Sequence, residues 1–261
     1  MSQVLSVVIP AHNEAESLPT ALRGVHTALT REAIVHEILV VDDHSSDGTA
    51  NVVRELAACD VPTARVVANQ RKGGFGLAVR CGLENFSGDS VAVMMADLSD
   101  SPDDLVAFWK TMQQTGADCV FGTRFSKGGR VIDYPATKLR INRVANFGIR
   151  VLFGLRYDDM TNAFKMYRRE VIVGVQPLLS HHFNLTVEIP LKAIVRGFTY
   201  EVVPNSWTNR SHGKSKFKVK EMGSRYAFII LYCLLERLLS RGGYRRDEQD
   251  RDPRGGGATA S

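Results

Sequence analysis

Five short apolar runs, each followed by a stretch with helical periodicity, fill the first half of the chain and leave few folds open to it. The runs span residues 5–10, 37–43, 64–69, 90–97 and 118–124. None alternates with polar residues as a strand with one wet face would, so each reads as a strand inside a sheet covered on both sides. Leu18, Leu22, Val25 and Leu29 set a helix over 14–29, and further helices are expected over 49–58, 76–85 and 102–114. Buried strands alternating with helices give an α/β fold with a mostly parallel central sheet. Ligands of such sheets sit beyond the carboxyl ends of the strands. The polar clusters of this chain lie there, in AHNE, DDHSSDGT, DLSD and TRFSKGGR.

Past residue 130 the pattern changes. Helices are expected over 138–153 and 185–195, a turn followed by strand or helix over 161–171, and a strand over 198–204. A basic loop then leads to an amphipathic helix over 219–240, and the charged, Gly-rich residues 241–261 read as a disordered tail. Residues 1–240 are thus expected to form one domain. Cys59, Cys81, Cys119 and Cys233 are scattered without metal-ligand spacing, which suits reduced, buried thiols in a cytoplasmic protein. The start, MSQVLSVVIP, reads as a first strand and not as a signal peptide. No run of about 18 apolar residues marks a membrane span.

The net charge is +5, and residues 210–220 hold five Lys or Arg and no acidic residue. Such a cluster calls for an anionic partner. A nucleic acid is disfavoured, because only Phe217 supplies a stacking aromatic there. The last helix carries an apolar run over 226–235, about 15 Å long and half a bilayer core. Flanked by Lys220, Arg225, Arg237 and Arg241, it suits peripheral contact with an anionic membrane at its cytosolic face. Packing on the core or in a homo-oligomer fits the same helix equally.

Three segments, VVIPAHNEAESL, ILVVDDHSSDGT and VMMADLSDSPDDL, resemble the family 2 inverting glycosyltransferases, which include dolichyl-phosphate mannosyltransferases and bacterial polyprenyl-phosphate glycosyltransferases. The likeness continues through FGTRFSKGGR, DDMTNAFKMYRRE and NRSHGKSK, and so covers about residues 4–240. It implies a GT-A-type nucleotide-binding fold, a Mg²⁺ or Mn²⁺ ion, a GDP-mannose or UDP-sugar donor and a polyprenyl- or dolichyl-phosphate acceptor. Asp42 and Asp43 would face base or ribose, beside a wall of Pro10, Ala11, Asn13 and Glu14. Ser45, Ser46 and Asp47 could serve as helix caps instead. Lys72 and Gly74 belong to a glycine turn suited to closing over phosphate.

Relatives commonly read Asp-Ala-Asp at the metal site, whereas this chain has Met95-Ala96-Asp97. A thioether is a poor ligand for a hard cation. That leaves Asp97 as the aligned ligand and catalytic carboxylate, Ala96 against the donor, and Ser99 and Asp100 as helpers. Asp100 and Ser101 alternatively cap the helix starting at Pro102. Arg124 and Lys138, with Arg140 and Asn142 nearby, would hold the acceptor phosphate; an acceptor already anionic needs no general base. Asp158, Asp159 and Glu188 are the acidic residues available for a hydroxyl acceptor. In NRSHGKSK, Arg210 and Lys216 match the family pattern RxxGxSK, with His212 and Lys214 beside them, in a loop able to close on the diphosphate. His181 and His182 read as packing residues. Besides transfer to a lipid phosphate, the sequence allows transfer to a hydroxyl, or a nucleotide-binding regulatory protein that lost catalysis at Met95.

Overall fold

In the computed structural model, which describes residues 3–209 and 219–246, the expected alternation forms one seven-stranded sheet. The chain runs β1 (Leu5–Ala11), α1 (Leu18–Arg31), β2 (His36–Asp42), α2 (Thr49–Cys59), β3 (Ala64–Ala68), α3 (Phe75–Asn85), β4 (Ser90–Val93), α4 (Pro102–Thr115) and β5 (Cys119–Thr123). It continues as β6 (Arg130–Ile132), α5 (Ala136–Phe153), β7 (Lys165–Arg168), α6 (Arg169–Gly174), α7 (Leu185–Val195), β8 (Tyr200–Pro204), β9 (Ser206–Thr208) and α8 (Val219–Leu239). The sheet order is β3-β2-β1-β4-β7-β5-β8.

Successive residues of a strand face opposite sides of a sheet, and here both sides are apolar. Val8, Leu39 and Val41 enter the core shared with α3 and α7. Val7, Ile9, Ile38 and Val40 enter the core shared with α1 and α4. This is why the strands read as unbroken apolar runs.

β7 is the element that periodicity left undecided between strand and helix. It lies antiparallel between β4 and β5, with α6 directly after it, so the segment supplies both. The strand expected over 90–97 stops at Val93, which releases 94–97 into a turn. β6 and β9, not anticipated, pair in parallel as a separate two-stranded sheet.

One side of α8 buries Ile229 and Cys233 against the core, and its Glu236 pairs with Arg196 on α7's C-terminal end (2.8 Å). The other side exposes Phe228, Leu231, Leu235 and Leu238. Of the stretch expected as a tail from 241, residues 241–246 are described. Arg246 donates from its backbone to the Arg196 carbonyl (3.0 Å) and pairs with Asp118 (3.0 Å), which fixes the chain to that point. Of the cysteines, Cys81, Cys119 and Cys233 are buried, but Cys59 is exposed at the end of α2. No helix among the described residues is long and apolar enough to cross a membrane.

Candidate active site

The loops that follow β1, β2 and β3 are stitched together by their own polar side chains. Asn13, in the left-handed region at φ 57°, accepts from Ser46 N–H (2.8 Å), and Ser45 Oγ accepts from Asn13 N–H (3.0 Å). Asp47 accepts from Ala15 N–H and from Thr49 N–H (both 3.0 Å). Glu14 accepts from Ser17 Oγ (2.7 Å). The Ser45–Asp47 cluster therefore joins the first two loops, and Gly48 takes the cap position of α2.

The paired aspartates divide. Asp43 is buried, accepting from Asn69 Nδ2 (2.7 Å) and from Gly74 N–H (2.7 Å). It holds the glycine turn to the end of β2. Asp42 is half-buried and accepts only Ser45 N–H (3.1 Å) among the described residues, which leaves it the carboxylate open to a ligand. Pro10 and Ala11 are buried beneath it on β1, with Ala11 opposite Asp42 in the register. Lys72 is exposed at the rim. Asn69 escaped notice as a site residue, although a polar residue closing an apolar strand was the available signal.

On the turn after β4, Ala96 is buried and Asp97 half-buried, with Asp97 Oδ1 accepting Ser99 N–H (3.1 Å). Leu98 follows at φ 61°, a conformation that disfavours a side chain. Ser101 caps α4 by accepting Asp103 N–H (3.3 Å). Asp100 does not cap it. It is buried, and its carboxylate turns back to Met95 N–H (3.4 Å). Burial, and secondarily the charge of Asp97, pushes its pKa up to about 7. Ser99, also buried, accepts from Thr208 N–H through its carbonyl (3.0 Å), so β9 is fastened to this turn.

A buried carboxyl with one long hydrogen bond, beside a second carboxylate, offers hard oxygen donors. Such a pair fits Mg²⁺ or Mn²⁺. Among the described residues no group of three or more His, Cys, Asp or Glu could hold a metal ion, so other ligands would have to come from elsewhere.

Arg124 does not stand open in the cleft. Its backbone N–H and Nε donate to Asp159 Oδ2 (3.0 and 2.8 Å) and its Nη2 to Oδ1 (2.7 Å), all buried. Burial acts to lower the Arg124 pKa, but the hydrogen bonds and charge of Asp159 outweigh it and raise the value. The Tyr157 hydroxyl lies between the carbonyls of Gly122 (2.8 Å) and Asp159 (2.6 Å). Glu188 is likewise committed, accepting from Leu179 N–H, Ser180 N–H and Lys192 (each 2.7 Å). Asp158 is half-buried and accepts Thr123 Oγ1 (2.8 Å). Lys138 and Arg140 are exposed at the start of α5. Arg210 and Lys216, with His212 and Lys214, lie outside the described residues.

Lys165, not singled out in the sequence, is buried on β7 and donates to the carbonyls of Met160, Asn162 and Thr186. Burial lowers its pKa to about 7, with the charge of Asp159 opposing the shift. The unfolded chain therefore binds a proton that the native state releases between about pH 7 and the ordinary lysine value near 10.4, so stability rises with pH across that window. Relative to Lys165→Met, the wild-type protein should gain about 1 kcal/mol per pH unit there, less near the two ends. Urea denaturation of both proteins at several pH values checks this, and parallel profiles would refute it.

Comparison with known proteins supplies the family. The model for "Glycosyl transferase family 2" matches residues 6–174. A polyprenol monophosphomannose synthase of Mycolicibacterium smegmatis is 36% identical over 234 residues, covering 84% of this chain and 86% of that protein. An undecaprenyl-phosphate mannosyltransferase of Micrococcus luteus is 30% identical over 236 residues, covering 88% and 94%. In fold, the chain is similar to glucosyl-3-phosphoglycerate synthase of Mycobacterium tuberculosis, solved with Mn²⁺, UDP-glucose and phosphoglyceric acid. The TM-score is 0.65 at 18% identity, with 94% and 82% of the two chains covered. The mostly parallel sheet with helices on both faces is thus the GT-A fold, and this chain belongs to glycosyl transferase family 2 as a glycosyltransferase.

Proposed function

We propose that the chain moves a hexose, mannose in the first instance, from a nucleoside-diphosphate sugar to a polyprenyl phosphate with inversion at the anomeric carbon. The observation that carries this reading is the meeting of two anionic elements at the sheet's carboxyl edge. Asp42 stands at the end of β2, which supports a contact with the nucleoside, and the Asp97–Asp100 pair follows β4, which supports a cation on the diphosphate. The names of the Mycolicibacterium and Micrococcus relatives support the lipid-phosphate acceptor.

Asp97, helped by Asp100, would hold the Mg²⁺ or Mn²⁺, which when bound supplies charge neutralisation of the leaving diphosphate. Gly74 spends its own N–H on Asp43, and the residues beside it in this turn are proposed to offer their backbone N–H groups to the phosphates. An oxygen of the lipid phosphate forms the new bond to the anomeric carbon, and the nucleoside diphosphate departs with the electron pair of the old one. Lys138 on α5 and Arg210 and Lys216 are the cations proposed to screen the approach of the two anions. Arg124 acts through Asp159 as a positioning residue for the wall after β5. Asp158 supports a second reading: a half-buried carboxylate beside that wall could serve as base for a hydroxyl acceptor.

Work at a membrane surface is supported by two helices. On α5, Ile141, Val144, Phe147 and Val151 are 50–71% exposed and lie along one stripe, with Lys138, Arg140 and Arg150 on the same helix. Arg237 of α8 donates to the Phe153 carbonyl (2.7 Å), which ties α8 and its own exposed stripe to the end of α5. Exposed apolar stripes with flanking positive charge are the profile of interfacial helices.

The test is release of nucleoside diphosphate by the full chain with polyprenyl phosphate in phosphatidylglycerol vesicles. GDP-mannose and UDP-glucose are compared, with and without Mn²⁺. Release should need both the lipid phosphate and the metal. Turnover with hydroxyl acceptors alone would transfer the role to Asp158. Phe147→Glu should weaken vesicle sedimentation about tenfold or more, since it removes a large apolar side chain and adds charge at the surface.

A further inference from the structure

α5 has two unlike sides. Helical spacing puts Lys138, Asn142, Asn146, Ile149 and Phe153 along one of them, and Val144, Phe147 and Val151 along the other. The first side buries Ile149 and Phe153 in the core, towards the C-terminal end. None of residues 136–145 is buried, so the apolar packing that fixes the helix lies in its second half. The first half reaches the body through polar groups. The Arg143 guanidinium lies over the Phe125 ring (4.7 Å to the centroid), and Asn142, with Asn146 one turn on, meets Thr161. A half-helix with so little buried is among the segments that open most easily.

Asn146 is 2% exposed, and both ends of its amide turn to the same two residues. Nδ2 donates to the Asn142 carbonyl (3.0 Å), to Asn142 Oδ1 (2.6 Å) and to Thr161 Oγ1 (3.0 Å). Oδ1 accepts Thr161 N–H (3.1 Å), and the Thr161 hydroxyl donates to Asn142 Oδ1 (3.2 Å), which closes a ring. Asparagine is a weak helix former, so two of them one turn apart cost helix stability that this ring offsets. Thr161 belongs to the link between α5 and β7, and the residues around it are bonded to the end of β5. Asp158 holds Thr123, Asp159 holds Arg124, and Asn162 Nδ2 donates to the Gly122 carbonyl (2.8 Å). Residues 158–162 are therefore tied to the wall on one side and, through Thr161, to α5 on the other.

We propose that the Asn142–Asn146–Thr161 ring is a latch through which seating of α5 on an anionic membrane steadies the wall after β5, and that Asn146 and Thr161 are positioning residues for the lipid phosphate. Burial of Val144, Phe147 and Val151 at the bilayer surface holds the first half of α5 still, and Lys138 with it. The ring passes that restraint to Thr161 and its neighbours, so the wall is most ordered where lipid is present. A site steadied in this way gains affinity without a new contact to its ligand. The membrane and the acceptor rest on the function proposed above; the hold of the ring on 158–162 does not.

Amide hydrogen exchange of the full chain, with and without phosphatidylglycerol vesicles, tests the latch. In the wild-type protein the vesicles should slow exchange in residues 136–146 and 158–162 together. Thr161→Val keeps the size of the side chain and removes its hydroxyl. In that variant the vesicles should still slow 136–146, but slow 158–162 about fivefold less, the scale of one neutral hydrogen bond. Thr161→Ser keeps the hydroxyl and should respond like the wild type, while Asn146→Leu should respond no better than Thr161→Val. Equal slowing of 158–162 in the wild type, Thr161→Val and Asn146→Leu overturns the latch. Slowing of 136–146 alone in the wild type overturns the coupling, and slowing of neither segment overturns the membrane seat and the proposal with it.

Kinetics separate positioning from general loosening. Thr161→Val should raise KM for polyprenyl phosphate about fivefold and leave KM for the nucleotide sugar within about twofold, with Thr161→Ser close to wild type in both. Equal rises in the two KM values overturn the acceptor-side role. If both segments respond to vesicles yet no sugar reaches a lipid phosphate, the acceptor reading falls while the latch stands.

Discussion

Asp159→Ala is expected to lower stability by about 3–5 kcal/mol, the scale on which breaking a buried ion pair acts. The carboxylate is fully buried and takes three hydrogen bonds from Arg124, two of them from the guanidinium. Removing it strands a guanidinium with only 7% of its side chain exposed. Asp159→Asn preserves the shape but not the charge and should fall between the two. Arg124→Ala should cost nearly as much, since it leaves Asp159 charged, buried and unpaired. Thermal melts of the three variants check the order. If Arg124→Ala melts like the wild type but loses acceptor binding, Arg124 is a ligand-facing residue after all, as the sequence suggested.

The second large effect falls on turnover. Asp97→Asn should reduce kcat by about 10²–10³, the scale on which loss of one strong electrostatic contributor acts, and should weaken activation by Mn²⁺. Folding should be little altered, because Asp97 is half-exposed and asparagine keeps an oxygen to accept Ser99 N–H. Asp100→Asn is the informative partner. Burial already draws the Asp100 carboxyl towards its neutral form, so an amide there should leave the metal-free protein as stable or more so. Its activity should fall less than that of Asp97→Asn. Activity of Asp97→Asn within about threefold of wild type would remove this carboxylate from the mechanism, because loss of a strong charge contact costs far more.

The fold was legible because burial on both faces prints itself on a strand as an unbroken apolar run, and four of the five such runs led into polar clusters. β7 was not legible: KMYR is four residues long and half basic, and only tertiary pairing decides its direction. Nor were β6 and β9, three residues each. At the site, Asp42, Asp43 and Asp97 could be placed at strand ends. Which of them faces a ligand could not be, because that depends on partners far away in sequence, such as Asn69 and Gly74 for Asp43. Arg124 failed as an open cation for the same reason. Its partner stands 35 residues on, and an Asp-Asp pair in sequence does not announce which carboxylate turns inward.

The antiparallel strand inside the sheet also sets an order of assembly. β4, which leads to Asp97, and β5, which leads to Arg124, have no bond to each other; each pairs with β7. Until residue 168 has left the ribosome, the growing sheet carries two open edges with a gap between them, and the two walls of the cleft have no fixed separation. A nascent chain of this protein therefore acquires its donor half first and its working geometry only on insertion of one late strand, and during that interval its exposed edges depend on shielding from other chains.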